Sequence, residues 1–486
     1  MLARLMADRL VWLLAGPFRR RAREPGLRSL GGAIAAVLFL ATVLVLGVTF
    51  AGLLLIGWPG IEQRPRIPIS RLFDIVKLAF AFVAGIGGVV ALVLAYRRQR
   101  VVEEDNRRQE AENSRKERSI LLEHVRDERD RTRLFNERFA TVATQLGSEA
   151  PAVRLAGVYA MAELADDWQQ HRQVCIDVLC AFFRMPHTPR PAADAPAAEV
   201  LDWRRDREVR RTVIEVIAAH LRPGSPVSWR GHDFDFSGAT FDGGDFSGSL
   251  FSDGSAVSFK GAVFAEGVVR FDGAVFGSSE VSFDRAEFHG GSVSFYMAKV
   301  TGAVLNFNGV SLSAGELRFY RASFTGGEVN FHKLAISGGQ LRFYRSELSG
   351  GALGFYGMGL SAGEIHFYAN TLTGGAIYFN RAAVTGGRMD FYRNGFDGCE
   401  AHFDKMTVDG GEVRFERVEF TRGTVRFDQA VFRGGSTTFL GSRFTGAEVR
   451  FDGARFLGGP VDFGNAGDWS VPPVFPAGAQ RGLHLP

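Results

Sequence analysis

A phenylalanine stands at every twelfth position from Phe259 to Phe463. The series runs Phe259, Phe271, Phe283, Phe295, Phe307, Phe319, Phe331, Phe343, Phe355, Phe367, Phe379, Phe391, Phe403, Phe415, Phe427, Phe439, Phe451 and Phe463, eighteen residues without a gap. An irregular globular core has no reason to repeat in this way, whereas a solenoid buries the same side chain once per structural unit. The rest of each unit agrees. An aliphatic residue stands two before most of these Phe, as at Val257, Leu317, Val329 and Ile365, and a second apolar residue stands five after, as at Phe264, Leu312, Phe324 and Ile336. Residues two apart share one face of an extended chain, so the V-x-F pair points inward on a short strand. The five-residue step carries the chain to another face, and Gly pairs such as Gly326–Gly327 supply turn conformations.

Whether twelve residues make a whole coil or half of one is decided by the positions beside the Phe. Tyr296, Tyr320, Tyr344, Tyr368 and Tyr392 recur every twenty-four residues, and the intervening copies carry Asn308, His332, Tyr356, Asn380 and Asp404. The second apolar position alternates as well, with Phe324, Leu348, Leu372 and Phe396 in one series and the generally smaller Leu312, Ile336, Leu360 and Val384 in the other. A twenty-four-residue coil in which like stacks on like follows, with the twelve-residue unit as its half. Neighbouring coils ~4.8 Å apart make nine or ten of them a rod roughly 45 Å long. Each buried Phe contributes ~1.5–3 kcal/mol.

Upstream, Phe236, Phe241, Phe246 and Phe251 recur every five residues, in "FSGATFDGGDFSGSLF". With the repeat that follows, residues 230–465 resemble the pentapeptide-repeat family. The resemblance implies a right-handed quadrilateral β-helix, filled by the central Phe or Leu and the small residue two before it. This chain departs from the plain family pattern by two extra residues in alternate faces, which predict a Gly-rich bulge or widened corner. The segment "VRLAGVYAMAELADD", joined to apolar spans and such a repeat, also resembles a bacterial membrane-anchored subgroup of the family. Some pentapeptide-repeat proteins are acidic DNA mimics that bind gyrase, so a gyrase- or DNA-interacting role is the alternative function, with a membrane signalling component beside it. The repeat region here mixes 26 acidic with 22 basic residues. That mixture does not imitate a polyanion, so no nucleic acid is expected as a partner.

The N-terminal part predicts a membrane anchor. Residues 31–58 carry no charge and residues 78–96 form a second apolar run, each long enough to span a ~30 Å hydrocarbon core. Arg residues crowd before the first run and after the second, which predicts a two-helix transmembrane hairpin with both termini cytoplasmic, in a bacterial inner membrane. The expected order is a basic, amphipathic N-terminus (1–30), the hairpin (31–96), a charged helical stalk (97–146) and a small helical adaptor (147–228) with a Pro/Ala linker at 186–198. The β-helix (229–465) and a C-terminal cap (466–486) follow, in which Trp469 or Phe475 folds over the last coil. The fold class is α + β. In the adaptor, Leu155, Val158, Tyr159 and Met161–Leu164, then Val174, Val178, Leu179, Phe182 and Phe183, form the apolar faces of two helices. The adaptor reads as a spacer or a cap on the solenoid.

No catalytic constellation, metal site or cofactor motif has convincing spacing. Cys175, Cys180 and Cys399 show no CxxC pattern and read as buried thiols. His332, His366 and His402 do not share one twenty-four-residue phase. The surface feature that stands out is a strip of Tyr296, Tyr320, Arg321, Tyr344, Arg345, Tyr368, Tyr392 and Arg393. Cross-coil stacking would account for the Tyr residues alone. Arg beside Tyr is the composition of interface hot spots, so the strip is the candidate site for an unknown protein partner, with the bilayer as the other partner.

Overall fold

The computed structural model describes residues 28–55, 69–478 and 481–486. Helix α1 spans Arg28–Leu55 and helix α2 spans Ile69–Leu146. The described chain forms two compact units with the division between Glu128 and Arg129, inside α2. In the first unit, α2 is unbroken because Gly and Pro are absent from Ala91 to its end. The apolar run at 78–96 and the polar run at 103–119 are therefore one helix. Among the described residues, one helical segment, Phe80–Leu146, is long and apolar enough to cross a membrane, and the apolar stretch Phe39–Ala51 of α1 is shorter. Phe80 and Leu92 are 72% and 74% exposed, apolar surface that is costly to leave in water. Residues 1–27 and the connecting segment 56–68, which carry the arginines expected to set the orientation, lie outside the described residues.

In the second unit, helices α3 (Pro151–Asp167), α4 (Arg172–Arg184) and α5 (Ala197–Leu221) precede the strands. Pro151 opens α3, where its missing N–H costs nothing. Val158, Met161, Leu164, Cys175, Ile176, Leu179, Phe183, Val213 and Ile217 are buried together. Tyr159 and Val174 are not part of that core. They are 53% and 47% exposed, because each lies on the outer flank of its helix. The helices sit on the first solenoid turn. Phe183 lies 4.9 Å from Phe241 and 5.7 Å from Phe236, ring to ring. Buried Arg210 donates to Phe183 O and to Thr240 O at 2.7 and 2.6 Å, tying α4, α5 and the first turn together. Ile214 packs so close to Gly244 that a Cβ there would meet its Cδ1 at 2.8 Å. The adaptor is thus a cap on the N-terminal end of the solenoid, covering strand edges that would otherwise stand open.

The solenoid is a parallel β-structure of about ten turns. Its strands form two sheets of 17 and 16 strands, and successive half-coils pass from one sheet to the other. Register is i to i+24: Leu312 pairs with Ile336, Phe319 with Phe343 and Tyr320 with Tyr344. The twelve-residue unit is therefore half a turn. All eighteen Phe of the series are at most 2% exposed. They fall into two columns, stacked face to face within a column, as Phe331–Phe355 at 4.7 Å, and edge to face between columns, as Phe343–Phe355 at 6.2 Å. The edge-to-face contacts suit the ring quadrupole, while the parallel stacks follow from repeating one side chain at each turn. The five-residue run at the start joins the same stacks: Phe236, Phe241, Phe246 and Phe251 lie on Phe259, Phe264, Phe271 and Phe276 at 5.1–5.3 Å.

The extra residues of the longer faces form bulges, as between Phe288 and Ser292, where the pairing with Ser311–Tyr320 shifts register. The Gly pairs answer a second constraint besides turn conformation. Gly327 has φ +77°, and a Cβ on it would stand 2.2 Å from Ala303 O in the turn before. Backbone rests on backbone there, and no side chain fits. At the C-terminus Trp469 meets Phe444 edge-on at 5.2 Å, while Phe475 stacks on Phe451 at 5.1 Å, so both expected cap residues pack on the last turn. Strand Arg481–His484 pairs with Arg455–Asp462. The series read from the sequence ends at Phe463, yet Phe475 stands twelve residues after Phe463 and twenty-four after Phe451, with Pro473 in place of the aliphatic residue two before it. The tail thus carries one column of the core a step further, by the same twelve-residue spacing.

Candidate functional site

The Tyr strip lies on five neighbouring strand segments, residues 316–320, 340–344, 364–368, 388–392 and 412–416, in perfect register. Strand alternation turns residues 317 and 319 of the first segment inward and 316, 318 and 320 outward, and the others repeat this. Three outward columns result. The first is Glu316, Gln340, Glu364, Arg388, Glu412; the second is Arg318, Arg342, His366, Asp390, Arg414; the third is Tyr320, Tyr344, Tyr368, Tyr392, Glu416.

The first two columns satisfy each other. Glu316 takes Arg318 and, at 3.0 Å, Arg342 from the next turn. Arg388 and Arg414 meet Glu412 at 3.1 and 2.8 Å. His366 lies between Asp390, 3.7 Å from Nδ1, and Glu364, 3.0 Å from Nε2. These carboxylates raise the His366 pKa above its ordinary value against the opposing effect of burial, and the Glu364 contact is the one short enough to be a hydrogen bond. His366 in turn holds the Glu364 carboxyl below its usual range.

The third column is aromatic. Tyr344 and Tyr368 stack at 4.7 Å and 10°, Tyr368 and Tyr392 at 5.0 Å and 23°, and Tyr320 tilts against Tyr344 at 5.5 Å and 48°. Tyr320 Oη accepts from Arg342 and Tyr392 Oη from Arg417. Tyr296 continues the column in register alone. It is 39% exposed and makes no ring contact with Tyr320 among the described residues. After each Tyr the chain turns to the other sheet through a residue with positive φ: Arg321 (+53°), Arg345 (+51°), Ala369 (+52°) and Arg393 (+54°). The Arg345 guanidinium lies 5.4 Å from the Tyr344 ring centre and that of Arg393 5.3 Å from Tyr392. Every residue of the sequence-read strip therefore falls on one edge. Arg417 belongs to that edge and was legible: it occupies Arg393's place one coil on, after Glu416 in place of Tyr.

Two further ladders escaped sequence reasoning. At the inward position three after the Phe, Ser346, Asn370 and Asn394 are buried, where Ala322 and Val418 occupy the same place. Asn394 Oδ1 accepts from Asn370 N and Nδ2, both at 2.9 Å, and Asn370 Oδ1 accepts from Ser346 N at 2.8 Å. The signal was the twenty-four-residue spacing of Asn370 and Asn394, present but unread because Asn looks like a surface residue. On the alternate half-coil, His332 meets Tyr356 edge-on at 4.9 Å, and Tyr356, Tyr378 and His402 stack at 5.4 and 5.2 Å. That run mixes two outward columns, so a search for a single phase separates its members.

Among the described residues no cluster of His, Cys, Asp or Glu has metal-site geometry. All three thiols are buried, and burial pushes Cys175 up to about 11 and Cys180 and Cys399 to about 12. What the Tyr–Arg edge can do is bind: it is pre-stacked, rigidly registered and rich in donors. Compared with protein-family models, curated proteins and solved structures, the chain matches none.

Proposed function

We propose that this protein is a non-enzymatic, membrane-anchored scaffold that presents its solenoid for protein–protein interaction at the cytoplasmic face of a bacterial inner membrane. The observation that carries this is the Tyr320–Tyr392 ladder with its Arg turns, a preformed aromatic and cationic edge of the kind that concentrates binding energy. Stacking has already immobilised the Tyr side chains, so little rotamer entropy is left to lose on binding. In this reading the apolar segments of α1 and α2 form a two-span hairpin with both termini cytoplasmic. The solenoid is a pentapeptide-repeat β-helix with four faces per turn. The four Phe spaced five apart, each lying on its own Phe of the following turn, support that geometry.

Crosslinked pull-down from membranes tests the function. Wild type is compared with the triple change Tyr320→Ser, Tyr344→Ser and Tyr368→Ser, with thermal melts reporting on the fold. Loss of a specific protein from the folded variant is the expected result; an unchanged partner set returns the ladder to a structural role. Protease accessibility of the C-terminus in inside-out vesicles tests the topology, and protection there overturns it.

A further inference from the structure

We infer that the Tyr–Arg edge takes an acidic, extended protein segment. This rests on the reading above that the edge binds a protein, and it names the partner's chemistry. The starting observation is backbone conformation. Twelve non-Gly residues have φ between +51° and +62°, a region that L residues other than Asn and Asp rarely occupy. Eight of the twelve are Arg or Lys: Arg285, Arg321, Lys333, Arg345, Arg381, Arg393, Lys405 and Arg417. Gly fills the equivalent turn position at 309, 357, 441 and 453 with φ near +65°, so the turn does not itself ask for a cation. The chain keeps a disfavoured backbone at these sites and places a charge on each.

The charges are also unspent. Among the described residues, none of the eight has a carboxylate within ion-pair distance, whereas most arginines on the strands are paired, as Arg342 with Glu316, Arg414 with Glu412 and Arg422 with Asp397, with Arg270, Arg433 and Arg455 among the exceptions. The near-neutral repeat is therefore partly sorted in space: Glu316, Glu364 and Glu412 pair with cations on a sheet face, and cations without a carboxylate partner line the two turn edges. The edges differ. On one, the residues beside the turn include Asp284, Asp404, Asp428 and Asp452. On the other, Arg321, Arg345, Arg393 and Arg417 stand beside Tyr320, Tyr344, Tyr368, Tyr392 and Glu416, itself 3.9 Å from Arg414, with Asp272 at the same position two turns before Tyr320.

This second edge offers donors and almost no acceptors. The Tyr344 and Tyr368 hydroxyls have no hydrogen-bond partner among the described residues. A ligand rich in acceptors and negative charge fits it, and planar guanidinium forks suit carboxylates. Ala369 interrupts the row, so Tyr368 carries no guanidinium while Arg345 and Arg393 cover the rings on either side. Cation, aromatic edge without a cation, cation is the complement of a segment with an apolar side chain between acids, one that packs on the outward rim of the stacked rings. A nucleic acid fits less well. Bases need free aromatic faces to stack on, and the faces of Tyr368 are occupied by Tyr344 and Tyr392. A fluid anionic lipid surface would use the charges but not their fixed spacing.

The test uses the full chain in nanodiscs of zwitterionic lipid and a fluorescent poly-Glu peptide with one central Leu, read by anisotropy. Arg321→Gly, Arg345→Gly, Arg393→Gly and Arg417→Gly are combined. Gly is the residue this backbone prefers, and thermal melts confirm the fold. The control combines Arg285→Gly, Lys333→Gly, Arg381→Gly and Lys405→Gly, the same charge change on the other edge. We expect the first set to weaken binding at least about tenfold and the control to change it less than about twofold. Equal losses from both sets, no binding by wild type, or an edge-dependent preference for a single-stranded oligonucleotide or phosphatidylserine nanodiscs over the peptide each overturn the inference. If the peptide fails while the Tyr-dependent partner persists in the pull-down, only the acidic chemistry is wrong; if that partner set is Tyr-independent, the binding role itself falls.

Discussion

Changing Asn394 to Ala and to Ser separates two accounts of the buried polar ladder. Asn394 is 1% exposed, and its Oδ1 is the acceptor for the Asn370 backbone N–H at 2.9 Å. Its Nδ2 donates to Phe367 O at 2.8 Å. In Asn394→Ala the Asn370 N–H is left buried without a partner, at about 1–3 kcal/mol, and the bond to Phe367 O adds about 0.5–1.5 kcal/mol. A loss of about 2–4 kcal/mol follows. Ser fills the same position two turns away on either side, at Ser346 and Ser442. There one hydroxyl does both jobs: Ser346 Oγ accepts from Ala322 N at 3.2 Å and donates to Phe319 O at 2.6 Å, and Ser442 is placed alike. Asn394→Ser therefore costs about 1 kcal/mol or less. Solenoids unfold in parts, so a global midpoint blurs the difference. Native-state hydrogen exchange at the Asn370 amide reads it directly, and a local loss of about 2 kcal/mol speeds exchange roughly thirtyfold. If Ser proves as damaging as Ala, or if the Asn370 amide exchanges alike in both, satisfaction of that N–H is not what the ladder does.

Gly327→Ala forces a Cβ to 2.2 Å from Ala303 O at φ +77° and should cost about 2–5 kcal/mol, while Gly273→Ala, at φ +66° with open space around it, should cost only about 1–2 kcal/mol; thermal melts of the two compare them. His366 has a raised folded pKa, so its contribution is complete below its ordinary value of 6.5 and is lost as pH rises through the raised value, whereas Glu364, held low, contributes above its ordinary range and fails as pH falls. An NMR titration should find His366 above 6.5, and His366→Gln should remove the loss of stability on the alkaline side. With all three thiols buried and pushed to about 11 or 12, iodoacetamide should label none of them in the native protein and all of them in urea.

The repeat was readable because a solenoid tests its pattern at every turn. Phe259 to Phe463 gave inward positions, and the alternation of Phe324 and Leu348 with Leu312 and Ile336 gave the half-coil, since stacked residues in i to i+24 register face like neighbours. The strip residues were readable for the same reason. The helical part was less so: Tyr159 and Val174 share the apolar character of their neighbours, and only contact with a particular partner helix decides which flank is buried. Asn370 and Asn394 were missed because a polar side chain is buried only where another turn supplies its partner.

By itself, then, the sequence determined the repeating unit, its period and the residues that face in or out, because these depend on local geometry that each turn repeats. Tertiary structure alone decided where charge ends up. Acids and bases look interspersed along the chain, but residues twenty-four apart become neighbours, so Glu316, Glu364 and Glu412 are spent on strand-face cations while Arg321, Arg345, Arg393 and Arg417 have no carboxylate partner among the described residues. Pairing is a matter of a few ångströms between turns, a distance the linear order does not contain.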